Sequence, residues 1–242
     1  MYAVFKRELF SLLNSLMAYI TIGVFLLVLG LLLWFFPETS ILDYGYAELT
    51  GFFSLAPFLF LFLVPAITMR SFAEERREGT YILLATRPLT DWQIILGKYF
   101  ACLVLVLFAL LPTLVYYYST SALGLPQGNI DGGAVTGSYV GLLLLGAAFT
   151  AIGIFASSLT KNQVIAFAVA VFLCFVALRG LDAMSQVFAF QYFEMALLNL
   201  SINEHYQSIS RGVLDTRDLI YFISFTAIFL GLTHLVIGGR KW

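Results

Sequence analysis

Six apolar stretches punctuate the sequence, at Leu16–Phe36, Gly51–Met69, Tyr99–Tyr118, Gly137–Ala156, Val164–Leu178 and Leu219–Gly238. Five have about the twenty residues that a helix needs to cross a hydrocarbon core of about 30 Å. The fifth, with fifteen residues, is short by that standard. In lipid the backbone must satisfy its own hydrogen bonds, so continuous runs of this length dictate helices. A β-barrel would show alternating segments of about ten residues instead. Composition excludes a soluble domain: with 61% hydrophobic residues and 11% charged ones, it would expose more apolar surface than monomers tolerate. The fold class is all-α polytopic membrane protein, with six transmembrane helices in a single domain over residues 1–242. No cleavable signal peptide is expected, because the first run is too long for an h-region and no small-residue cleavage site follows it.

Charge sets the orientation. A cytoplasmic N-terminus puts Lys6, Arg7, Arg70, Arg76, Arg77, Arg87, Lys98, Lys161, Arg240 and Lys241 inside and leaves Arg179, Arg211 and Arg217 outside. This positive-inside asymmetry places both termini in the cytoplasm. Ahead of the first span, Val4, Phe5, Leu9, Leu12 and Leu13 recur at helical spacing beside Lys6, Arg7 and Glu8. That pattern fits an interfacial helix on the cytoplasmic face, or else an extension of the first span. Pro57 and Pro65 in the second span are expected to kink it.

The longest charged interruption is Arg70 to Lys98. Arg70–Glu78 reads as a helix supported by Arg70–Glu74 at i,i+4 and Glu74–Arg77 at i,i+3. Gly79 stops it, Thr80 caps a short turn over Tyr81–Ala85, Pro88 breaks that turn, and Thr90-Asp91-Trp92-Gln93 is a capping box stapled by Leu89 and Ile94. Such punctuation specifies a folded cytoplasmic hairpin. Further capping boxes are predicted at Thr160-Lys161-Asn162-Gln163 and Ser201-Ile202-Asn203-Glu204. Gly212 should close the helix that follows Ser201, and Asp215 should cap the last span. Between spans five and six, Ala183–Leu200 is too polar for an ordinary crossing and reads as an outer helix lying on or dipping into the membrane. Tyr116–Tyr118 suit an aromatic belt, and Gly137 with Gly141 would permit close helix approach.

Catalytic constellations are missing. The sequence has no HExxH or GxSxG and no pair of carboxylates within the spans. Cys102 and Cys174 lie in apolar runs and read as buried free thiols. His234 reads as a packing residue, and Arg179 with Asp182 as a local ion pair. Gly97-Lys98 followed by Tyr99 lacks the Ser or Thr of a phosphate loop, so the chain is expected to be no enzyme and to hold no cofactor or metal. Nothing points to nucleic acid.

The run Phe72-Ala73-Glu74-Glu75-Arg76, then Gly79-Thr80, Leu83-Leu84, Arg87-Pro88 and Gly97-Lys98, resembles the permease subunits of ABC transporters of the type-two exporter class. His205-Tyr206, Ser210-Arg211-Gly212-Val213, Asp215-Thr216-Arg217-Asp218 and the opening Lys6-Arg7-Glu8-Leu9 carry the same likeness. Within the family, the likeness is to the gliding-motility-associated permease. The resemblance implies a bacterial inner membrane location and an outer helical hairpin between spans five and six that carries His205, Arg211, Gly212, Asp215, Arg217 and Asp218. It also implies a coupling helix that rests on a separate ATPase through Phe72, Glu74, Glu75, Arg76, Gly79, Thr80, Leu83, Leu84, Arg87 and Pro88. Two ATPase subunits, holding ATP and magnesium, and a second permease, identical or homologous, would complete the transporter. Substrate identity does not follow from motifs that serve coupling and folding. An ion-gradient-driven transporter would need acidic groups or broken helices within the spans, and a non-transporting scaffold leaves the hairpin unexplained.

Overall fold

The computed structural model describes the chain except residues 38, 42–47, 81–88, 125, 127, 186–193, 213–214 and 240–242. The described residues form helices and turns, without strands. Helix α1 (Tyr2–Leu13) is followed by α2 (Leu16–Trp34), α3 (Thr50–Thr68), α4 (Arg70–Arg77) and α5 (Asp91–Leu110). A 3₁₀ turn at Leu111–Thr113 joins α5 to α6 (Leu114–Leu123), and α7 (Gly132–Leu159) and α8 (Gln163–Phe175) come next. A π-helical segment, Val176–Gly180, runs into α9 (Leu181–Ser185), and α10 (Glu194–Asn199), α11 (Ile202–Ser210) and α12 (Thr216–Gly238) complete the order.

Among the described residues, six continuous helical stretches are long and apolar enough to cross a membrane: Leu16–Trp34, Thr50–Glu78, Asp91–Leu123, Gly132–Leu159, Gln163–Ser185 and Thr216–Gly238. In the apolar core of the Gly132–Leu159 stretch 72% of the residues are buried, against 22% in those of the first, fifth and sixth. That contrast makes α7 the central post of the bundle and leaves α2, α8 and α12 on its periphery. Pro112 falls within the 3₁₀ turn, so the third stretch runs on past it. Pro57 and Pro65 are both buried inside α3.

Several local expectations hold. Thr90 and Gln93 form the capping box that starts α5. Asp215 caps α12 by accepting from the Arg217 N–H at 3.0 Å. Gly79 and Gly212 have φ of 72° and 86°, left-handed backbone that a Cβ disfavours. The chain between α1 and α2 turns extended at Ser15, with φ −87° and ψ 121°. Thus α1 is a separate helix and not a continuation of the first span.

Other expectations need correction. The fifth span does not end at Leu178: the helix passes through the π segment to Ser185, a run of 23 residues. Apolar counting stops at Arg179, but that side chain is 43% exposed, so the backbone continues without burying the charge. Ala183–Ser185 therefore belong to the fifth helix, α10 is a separate short helix, and residues 186–193 lie outside the described ones. The cap of α8 is Asn162, not Thr160. Thr160 Oγ1 accepts from the Asn162 N–H at 3.1 Å, and this turn delays the helix start until Asn162 accepts from the Val164 N–H at 2.9 Å. Ser201 caps α11 through the Asn203 N–H at 3.2 Å, without a reciprocal bond from Glu204 among those observed. The pair Gly137 and Gly141 packs within the chain: a Cβ at Gly137 would stand 2.9 Å from Gly212 Cα, and one at Gly141 3.2 Å from the Ile209 side chain.

Candidate functional site

The charged interruption begins on α4, which leaves α3 after the single residue Met69. Its first turn is fastened to α7. Ser157 Oγ accepts from the backbone N–H groups of Phe72, at 3.0 Å, and Ala73, at 3.1 Å. The same hydroxyl donates to the Met69 carbonyl at 2.9 Å. A helix start has orphan N–H donors, and here a side chain from a neighbouring helix satisfies two of them. Arg76 donates to the Ser158 carbonyl, and Arg70 to the Ser15 hydroxyl while it pairs with Glu74 at 3.2 Å. The i,i+3 pair from Glu74 to Arg77 is not made; Arg77 lies 4.0 Å from Glu78 instead.

One face of α4 meets a buried ion cluster. Lys98, whose side chain is 1% exposed, sits on α5 and places Nζ 3.0 Å from Glu75 Oε1 and 3.1 Å from Glu8 Oε1. It also donates to the Ser71 carbonyl at 2.6 Å and lies 5.1 Å from the centre of the Phe72 ring. Arg7 of α1 donates to both carboxylates, at 2.6 Å to Glu8 and 2.7 Å to Glu75. Glu75 Oε2 is buried and has no hydrogen-bond partner among the described residues. Gly97 makes the approach of α1 possible, since a Cβ there would stand 3.0 Å from Val4 Cβ. The Gly97-Lys98 pair thus seats α1 on α5 and clasps it electrostatically to α4.

Burial alone would push the Glu8 carboxyl up, but the Lys98 ammonium and the Arg7 guanidinium outweigh it and hold its pKa below the usual 4.5. A carboxyl lowered by folding contributes stability above its unfolded value, and that contribution is lost as pH falls through the folded value. Amide exchange along α1 should therefore accelerate on acidification below 4.5 relative to the rest of the bundle. Glu8→Gln should show the faster exchange already at neutral pH. Exchange in α1 that follows the bundle at every pH would refute this clasp.

The expected coupling residues divide into two groups. Phe72 is fully buried, and Glu74, Glu75 and Arg76 are half-buried, held by contacts within the chain. Gly79 and Thr80 are exposed, together with Arg77 and Glu78. Thr80 Oγ1 donates back to the Glu75 carbonyl at 3.4 Å, which folds the exposed turn over the end of α4. Leu83, Leu84, Arg87 and Pro88 lie outside the described residues, as does the short turn Tyr81–Ala85. Ser157 and the joint role of Arg7, Glu8 and Lys98 are additions that sequence spacing did not supply. The one hint was Lys98, the only charged residue between the first turn of α5 and its end at Leu110.

At the opposite end of the bundle, the second motif is also internal. His205 Nδ1 lies 2.6 Å from Asp218 Oδ1, its Nε2 lies 2.9 Å from the Asn199 carbonyl, and the ring stacks on Tyr221 at 3.9 Å. This ties α11 to α12. Gly212 lets the turn after α11 lie against Ala134 of α7, while Asp215 serves as a cap. Arg211 and Arg217 are exposed. His234 stacks on Trp92 with ring centres 4.9 Å apart, a packing arrangement. Arg179 and Asp182 stand 3.9 Å apart.

A family profile described as ABC-2 family transporter protein matches residues 37–240. No curated protein matches the chain.

Proposed function

The chain belongs to the ABC-2 family of transporter proteins, and from that membership of a membrane-spanning, non-catalytic permease family we propose how it is driven. A separate ATPase subunit docks on the exposed turn Arg77–Thr80 at the end of α4. Closure of two such subunits around ATP and magnesium pushes this turn. The push enters the bundle through α4, which is bound to α1 and α5 by the Lys98 cluster and to α7 by Ser157. One observation carries the reading: a short charged helix has an exposed tip and a root fixed to three other helices. A loop without such a root would dissipate displacement; a rigid element passes it on.

The transporter would pair this chain with a second permease, identical or homologous, across α2, α3 and α8. The mostly outward-facing surfaces of α2 and α8 support that arrangement. The charge asymmetry supports an inner-membrane location with the α4 end and both termini in the cytoplasm. Export or remodelling of an envelope component linked to gliding motility is the setting that the resembling motifs suggest.

Affinity purification of the whole chain in mild detergent tests the coupling. A P-loop ATPase should co-purify, and its ATP hydrolysis should depend on the permease. Arg77→Glu combined with Glu78→Arg should reduce that dependence about tenfold, the effect of losing about 1.4 kcal/mol of docking energy, while thermal stability stays unchanged. Undiminished co-purification and hydrolysis with the reversed pair would refute the assignment of this turn.

A further inference from the structure

We propose that the chain carries a second site, for an anionic phospholipid, in a cavity at the end of the bundle remote from α4. The cavity has a volume of about 820 Å³ and lies between the starts of α3 and α7, the π segment and α11. Its size falls within the range of small-molecule and cofactor pockets. Phe53, Pro57 and Leu178 give it an apolar wall, and Arg179 and Arg211 give it positive charge.

The carboxylates and the arginines of this cavity differ in how they are held. Two carboxylates line it as well, Glu48 and Asp131, and one oxygen of each accepts hydrogen bonds within the chain. Asp131 Oδ1 accepts from the Gly133 and Ala134 N–H groups, at 2.9 and 3.1 Å, in capping α7. Glu48 accepts from the Thr50 hydroxyl. The arginines are not matched in this way. Arg179 Nη1 stays 3.9 Å from Asp182 Oδ2, beyond hydrogen-bond distance. That carboxylate already accepts from the Ser201 hydroxyl and, at 2.8 Å, from Asn203 Nδ2. The Arg211 guanidinium makes no hydrogen bond or ion pair among the described residues. Guanidinium groups offer a planar fork of donors that matches a phosphate or carboxylate in bidentate fashion.

Two further features specify an amphiphile over a free anion. Phe58, whose ring lies 5.0 Å from the Arg179 guanidinium carbon, is 38% exposed on the flank of α3. The cavity thus borders an apolar surface that faces lipid, along which acyl chains can lie. The π segment also occurs where Arg179 enters the wall. Single π turns inside α-helices are frequent at functional sites. A phosphate between Arg179 and Arg211, with its chains leaving past Phe58, satisfies both guanidinium groups.

Native mass spectrometry of the whole purified chain, released from detergent micelles containing equal phosphatidylglycerol and phosphatidylcholine, tests the site without any ATPase. It therefore fails or succeeds independently of the coupling reading. Phosphatidylglycerol should be retained in preference to phosphatidylcholine. In the Arg179→Gln/Arg211→Gln variant the preference should fall at least about tenfold, because both charge-assisted contacts to the phosphate are removed. The single variant Arg211→Gln changes an exposed side chain and should lower the preference with an unaltered melting profile. Glycerol phosphate, the headgroup without chains, should bind far more weakly. Equal retention of the two lipids, a preference unchanged in the double variant, or glycerol phosphate binding as tightly as the lipid would each overturn the proposal.

Discussion

Lys98→Met is expected to be the most damaging single substitution in the bundle, with a loss of about 3–5 kcal/mol, the usual cost of removing one partner from a buried ion pair. The ammonium it removes stands 3.0 and 3.1 Å from two carboxylates. Without it Glu75, whose Oε2 is already buried without a partner among the described residues, would face Glu8 with only Arg7 between them. Lys98→Arg should not restore the site, because a larger planar group must fit where the side chain is 1% exposed. Lys98→Met combined with Glu75→Gln should recover part of the loss, since one unpaired charge disappears with the other. The measurement is the thermal midpoint of the detergent-solubilised chain. A Lys98→Met midpoint close to that of the unaltered protein, or a double variant worse than the sum of the singles, would refute the clasp.

Gly153→Ala should be the next most damaging, although alanine is the better helix former. A Cβ at Gly153 would overlap the Thr68 hydroxyl and stand 2.8 Å from Thr68 Cβ. Thr68 has nowhere to go: it is fully buried and its hydroxyl donates to the Val64 carbonyl at 2.9 Å. Relief must come from separating α7 from the last turn of α3, immediately before α4 begins. Overpacking of this kind costs about 1–3 kcal/mol, and the displacement falls where Ser157 holds the root of α4. The expected result is a lowered midpoint together with loss of permease-dependent ATP hydrolysis. Gly153→Ala/Thr68→Ala, which removes the hydroxyl, should regain part of both. Full hydrolysis in Gly153→Ala would show that α4 does not need this seat.

Much of the architecture was legible because lipid leaves the backbone few choices. The six crossings, the Thr90 capping box, the Asp215 cap and the Gly79 and Gly212 stops all follow from local chemistry. The continuation of the fifth helix past Arg179 was not legible, because an apolar count treats a charge as an end while a helix needs only that the charge reach the surface. The cap of α8 was misplaced because Thr160 and Asn162 are both competent, and the turn that joins them decides between them. The cluster at Lys98 was hidden for a different reason. Its partners come from α1 and α4, far away in sequence, and no period of 3.6 residues records such pairings. For the same reason Phe72 and Glu75 read naturally as a docking surface, whereas they face into the chain and leave the turn Arg77–Thr80 at the end of α4 exposed.

The most direct measurement of the central claim places a photo-activatable benzophenone side chain at Glu78 and, as a control, at Gln207 in the remote cavity wall. Irradiation of membranes containing the whole transporter should yield an adduct with a P-loop ATPase from position 78 and none from position 207. An ATPase adduct from 207, or its absence at 78 in a preparation that still hydrolyses ATP in a permease-dependent manner, would contradict the assignment of α4 as the coupling element.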